Sequence, residues 1–183
     1  MSEELVPVEI RSHLIPFFFH EMEGTFASYN GEKVNMIKLK CSSSLANYLY
    51  TQIDYNRADH KYPYDSFLLY LSVQTNQFYV MSGKVYIDKK GIKSELLMPL
   101  SKVREFNGLL EDVYRTNLVS YVDGFKDAGS QVSKGVDSFM VKYNLYEYGF
   151  EYQSLRKIYY EQKKTSLLNR FQNRASNKVL GFF

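Results

Sequence analysis

The sequence predicts an α+β fold: a small antiparallel sheet in the N-terminal half, packed with a C-terminal bundle of three or four helices. Three observations carry this expectation. Asn30-Gly31 and Ser82-Gly83 separate strand-like apolar runs in the first hundred residues. Asn-Gly between two such runs is the strongest short-range hairpin signal, because a type I′ turn needs positive φ at both central positions. After Pro99 the apolar residues recur every three or four positions, which is the period of an amphipathic helix.

Residues 1–11 read as an extended arm. Leu14–Met22 contains Pro16 and three successive phenylalanines, and is either a short buried helix from Pro16 or a strand, since so short a run has no decisive period. Thr25–Tyr29 and Lys33–Lys40 flank the Asn30-Gly31 turn. Val34, Met36, Ile37 and Leu39 do not alternate cleanly, so a bulge is expected in the second strand. Ser42, Ser43 and Ser44 offer N-caps for a helix through Leu45, Tyr48, Leu49 and Gln52. Asp54–Tyr64 is polar, contains Pro63 and reads as a loop. Phe67–Val73 is a buried strand or a short helix capped by Asp65. Gln77–Met81, Lys84–Asp88 and Ile92–Met98, turning at Ser82-Gly83 and Lys89-Lys90-Gly91, read as an antiparallel meander.

In the second half, Val103, Phe106, Leu110, Val113, Tyr114, Leu118, Tyr121, Val122 and Phe125 mark one amphipathic helix of about 25 residues, ended by Gly129-Ser130. Val132, Val136, Phe139, Met140 and Tyr143 mark a second, weakened by Gly135. A turn over Asn144–Phe150 follows. Tyr152, Leu155, Ile158 and Tyr159 form the apolar face of a third helix, with Gln153, Arg156, Lys157, Lys163 and Lys164 around its other side. Leu167, Leu168 and Phe171 fall out of phase with it. This places a break at Thr165-Ser166 and a fourth short helix, on which Arg170, Arg174 and Lys178 share a stripe. The expected division is a β-rich subdomain over 1–100 and a helical subdomain over 101–183, sharing one core.

The chain has 183 residues, 45% hydrophobic and 23% charged, which excludes a collagen, wholesale disorder and a disulfide scaffold. Its one cysteine, Cys41, has no internal partner, and this favours a reducing compartment. Met1–Arg11 carries Glu3, Glu4 and Glu9 and does not read as a signal peptide. No apolar run approaches the ~20 residues that span a bilayer. A cytoplasmic location, away from membrane, is therefore expected. The aromatic residues are 17 Tyr and 13 Phe with no Trp. Tyrosine suits places that are half apolar and half wet, such as interfaces and base-stacking surfaces.

Catalytic motifs are scarce. The sequence contains neither G-x-x-x-x-G-K-[ST] nor G-x-G-x-x-G, and no C-x-x-C pair. His13, His20, Glu21 and Glu23, joined by Asp59 and His60 if the loop folds back, are the cluster to test for a metal or acid–base role. His13 and His20 share one side of a helix, but Glu21 and Glu23 do not, and Pro16 interrupts the segment. Cys41 has no histidine near it to act as a base. The expectation is no catalytic residue, no metal and no cofactor, with a metal-dependent hydrolase as the minor alternative.

The charge is more informative. Residues 154–183 hold Arg156, Lys157, Lys163, Lys164, Arg170, Arg174 and Lys178 against Glu161 alone, a net of +6, and the whole chain is +3. A basic end on an acidic body points to nucleic acid or an acidic surface. Helix, glycine-containing turn and basic helix resemble a helix-turn-helix in outline, although the turn exceeds the usual three or four residues. Gln153 and Arg156 are then placed to meet base edges, and Lys157, Lys163 and Lys164 phosphates. Tyr160 can stack or touch sugar, and Arg170, Arg174 and Lys178 extend the phosphate contacts. The expected function is a non-enzymatic nucleic-acid-binding accessory protein. The alternative is a structural or assembly component that docks on a protein partner or a second copy through aromatic surface and the apolar tip at Phe182 and Phe183.

Three phrases carry a resemblance: Ile15-Pro16-Phe17-Phe18-Phe19-His20-Glu21-Met22-Glu23-Gly24, Asn144-Leu145-Tyr146-Glu147-Tyr148-Gly149-Phe150 and Leu168-Asn169-Arg170-Phe171-Gln172-Asn173-Arg174. They are similar to small proteins of phages and mobile elements in Bacteroidetes-type bacteria. That group carries no assigned activity or site, so the resemblance implies only a phage or mobile-element setting.

Overall fold

Val6, Val8 and Ile10 recur at the two-residue period of a strand. In the computed structural model, which describes residues 2–29, 31–39, 43–52, 68–75 and 98–164, Ser2–Glu9 is strand β1. It is a member of the sheet and not a free arm. It pairs antiparallel with β4 (Leu68–Thr75) from Ser2 opposite Thr75 to Glu9 opposite Leu68. Pro7 is tolerated there because β1, among the described residues, has a neighbour on one side only. The chain divides into two compact units, Met1–Glu105 and Phe106–Phe183.

The first unit holds a four-stranded sheet in the order β1-β4-β3-β2, with β2 at Thr25–Tyr29 and β3 at Glu32–Lys38. The β2–β3 hairpin closes with Tyr29 opposite Glu32, and Gly31 has φ of +84°, the positive value that the turn demands. The sheet is mixed, not wholly antiparallel, because β3 and β4 run parallel with Ile37 opposite Leu71. A parallel pair needs a crossover connection of a dozen or more residues, and residues 39–67 provide it. That connection carries helix α2 (Ser44–Gln52), whose Ser43 cap accepts a hydrogen bond from the Ala46 amide at 3.0 Å.

Strand β3 has no bulge within its paired residues, since the register runs unbroken from Thr25↔Met36 to Tyr29↔Glu32. Its mixed pattern comes instead from two partly covered faces. Ile37 and Leu39 lie on one and are buried, while Val34 and Met36 lie on the other and are half-buried. The pairing register puts Val6, Val8, Ile37, Leu69 and Leu71 on a single face, each at most 1% exposed. Leu14–Glu21 is helix α1, with Pro16 in its first turn and Leu14, Ile15, Phe17 and Phe18 buried. The loop expected over 54–64, the meander expected over 77–97 and Cys41 lie outside the described residues.

The helical part begins with α3 (Leu100–Asp127). The Pro99 carbonyl accepts the Lys102 and Val103 amides at 2.8 and 2.9 Å, which starts the helix. At the other end the Ser130 amide reaches the Phe125 carbonyl at 2.9 Å across Gly129, whose φ is +80°. This is a Schellman closure, and it explains why Gly129-Ser130 ends the helix. Val113, expected in the core, is instead 38% exposed, at the margin of the apolar stripe.

Within the second unit, α3 packs against α4 (Val132–Lys142) through aromatic rings. Phe139 is fully buried, and its ring centroid lies 5.7, 5.5 and 4.6 Å from those of Tyr114, Tyr121 and Tyr143. Gly135 is part of this packing and is not merely a weak point in α4. A Cβ at that position would sit 3.2 Å from both the Phe125 Cβ and the Val122 Cα. Alanine in an open helix gains about 1 kcal/mol over glycine, but overpacking against backbone costs ~1–3 kcal/mol. Gly135→Ala is therefore expected to lower the urea midpoint. A raised midpoint would show that the two helices are free to move apart.

Candidate nucleic-acid interface

Helix α5 (Tyr152–Gln162) follows α4 after a left-handed Asn144, a single 3-10 turn (Leu145–Tyr148) and a left-handed Gly149. Residues 143–151 thus form a longer connection than a compact helix-turn-helix uses. The amphipathic reading of α5 fixes its orientation: Leu155, Ile158 and Tyr159 are buried. Gln153, Arg156, Lys157, Tyr160, Lys163 and Lys164 are all exposed.

At 100° per residue these exposed side chains are not equivalent. Arg156, Tyr160, Gln153, Lys164 and Lys157 succeed one another within a stripe about 100° wide. Lys163 falls beside that stripe, towards the buried side. Its Nζ donates to Asp123 Oδ2 of α3 at 3.0 Å, while the Tyr159 hydroxyl donates to Asp123 Oδ1 at 2.8 Å. Lys163 is thus engaged within the protein, unlike its three basic neighbours Arg156, Lys157 and Lys164, which form no ion pair among the described residues. Charge and spacing alone group Lys163 with the phosphate contacts. Its partner lies forty positions away on another helix, and no local pattern announces it.

Burial alone would raise the Asp123 carboxyl above its ordinary range. The hydrogen bonds from Tyr159 and Lys163, with the charges of Lys163 and Lys126, outweigh burial and hold it below. The same contact works on the phenol in the opposite sense. Burial, then the bond to Asp123, push the Tyr159 hydroxyl up to about 12, so it remains a donor across the whole neutral range. Because the folded state favours the Asp123 carboxylate, the unfolded chain takes up the proton first as pH falls. The stabilisation is complete above the unfolded value near 3.8 and is lost as pH drops through the lower folded value. Asp123→Asn should therefore be less stable than the parent at neutral pH, by about 1 kcal/mol, and the gap should close as pH falls below the ordinary carboxylate value near 3.8. A gap in melting temperature that does not change with pH would contradict an ionic role for Asp123.

Tyr160 stands 47% exposed in the middle of the stripe, with the Arg156 guanidinium carbon 5.7 Å from its ring centroid. Beside the N-terminal end of α5, Tyr152 lines a shallow depression with Ser133, Lys134 and Asp137 of α4. The Tyr146 hydroxyl donates to Asp137 at 2.7 Å, which partly spends that carboxylate. In the other unit, His20 Nδ1 lies 3.5 Å from Glu21 Oε1. Among the described residues no three His, Cys, Asp or Glu side chains converge as metal ligands, so His13, His20, Glu21 and Glu23 are not brought together as one such group. Asp59, His60, the expected Ser166 cap, Arg170, Arg174, Lys178, Phe182 and Phe183 lie outside the described residues. Among the described residues no helix is long and apolar enough to cross a membrane. The chain matches no family model, no curated protein and no solved structure.

Proposed function

We propose that this chain is a non-enzymatic nucleic-acid-binding accessory protein of a phage or mobile element, working in the cytoplasm of a bacterial host. The observation that supports it best is the α5 stripe: Arg156, Lys157 and Lys164, with Gln153 and Tyr160 between them, on one solvent-facing side of a helix whose other side is buried. Cations so arranged meet phosphates. Gln153, nearest the helix N-terminus, is the side chain for base edges, while Arg156, which charge and spacing pair with it, joins the phosphate contacts. The basic residues Arg170, Arg174 and Lys178 continue the same charge along the chain.

The test is a sizing column at low salt, run with and without added DNA or RNA. Protein and nucleic acid should co-elute and separate when salt is raised. Protein that elutes alone, at the mass of an oligomer and indifferent to nucleic acid, would favour an assembly component instead. Changing Gln153 should relax sequence preference by ~1–3 kcal/mol per base contact, measured as relative affinity across a set of oligonucleotides.

A further inference from the structure

We infer, building on that proposed function, that the nucleic acid is single-stranded and that one of its bases stacks on Tyr160. A solitary exposed aromatic is ordinary on a protein surface. Tyr160 is distinguished by its place: around the helix it stands between Arg156 on one side and Gln153, Lys164 and Lys157 on the other. Its ring is also supported. The Tyr159 ring meets it edge-on, with centroids 5.2 Å apart and planes at 70°, and Tyr159 is buried and tied to Asp123 at 2.8 Å. The Arg156 guanidinium lies 5.7 Å from the Tyr160 centroid. A ring backed by an anchored neighbour loses little freedom when a ligand settles on it.

Such a ring amid cations suits a base whose face is free. In a single strand the phosphates follow the charged groove and successive bases stack on aromatic rings. A duplex hides its base faces in its own stack, and a side chain reaches them only by wedging the steps apart. The stripe from Gln153 to Lys164 runs about 16 Å along the helix, room for a few nucleotides. Stacking on Tyr160 and phosphate contacts from Arg156, Lys157 and Lys164 are separable: one tolerates salt and the others do not.

The chain has no tryptophan, so Tyr160→Trp supplies a unique fluorophore at the point of stacking. The probes are short oligo-dT, short oligo-U and a DNA duplex of the same length. The expected result is tighter binding of a single strand than of the duplex, with the tryptophan emission quenched. The dT and U arms show whether the single strand is DNA or RNA. Tyr160→Ala should weaken single-strand binding about 10- to 100-fold, with the salt slope and the melting temperature unchanged, and Tyr160→Phe should bind as the parent does. Duplex bound as tightly as the single strand, or single-strand affinity indifferent to Tyr160→Ala, overturns the stacking inference while leaving phosphate binding by α5 intact. No binding of any probe at low salt overturns both.

Discussion

Phe139→Ala is expected to destabilise the helical unit by about 3–5 kcal/mol. Phe139 is fully buried, and three tyrosine rings close around it, two from α3 and one from the end of α4. Truncation removes the burial of the ring and leaves a void that rigid neighbours fill only in part. A domain is stable by ~5–15 kcal/mol in all, so the loss should move the urea midpoint far and leave the variant partly unfolded on mild heating. Val141→Ala on the same helix is the control, because Val141 is 66% exposed and its truncation should stay within about 0.5 kcal/mol. Similar midpoints for the two variants would mean that the aromatic cluster does not hold α3 and α4 together.

The second large effect concerns binding. Changing Arg156, Lys157 and Lys164 together to glutamine should lower affinity for nucleic acid by about two to three decades near 50 mM salt, because each phosphate contact on a single strand contributes a counterion term of ~0.7 in the salt exponent. The fold should survive, since exposed charges contribute little to stability. Lys163→Gln is the informative companion. It removes the same formal charge from the same helix, but from a side chain committed to Asp123 at 3.0 Å. It should change affinity little and the pH dependence of stability more. Equal losses from Lys163→Gln and from any one of the other three would show that overall charge, and not the stripe, governs binding.

Periodicity made most of the helical half legible. The apolar spacing from Val103 to Phe125 outlines α3, and Tyr152, Leu155, Ile158 and Tyr159 orient α5 correctly. The Asn30-Gly31 signal located a real hairpin, and the serine run a real cap at Ser43. What escaped depends on partners distant in sequence. Strand β1 hid behind Glu3, Glu4 and Glu9, although Val6, Val8 and Ile10 already alternated. The parallel pairing of β3 with β4 follows from a long crossover, and local pattern carries no information about strand direction. Gly135 looked like a helix defect because its purpose, the close approach of Val122 and Phe125, is visible only in three dimensions. Lys163 looked like its neighbours until Asp123 was placed beside it.

The most direct measurement is the slope of log affinity against log salt for the parent chain and for the Arg156→Gln, Lys157→Gln, Lys164→Gln variant, on the same oligonucleotide. If these three side chains neutralise phosphates, the variant's slope should be flatter by about two on a single strand and nearly three on a duplex, at ~0.7 and ~0.9 per contact. An unchanged slope with binding retained would place the phosphates elsewhere on the molecule and contradict the assignment of α5 as the interface.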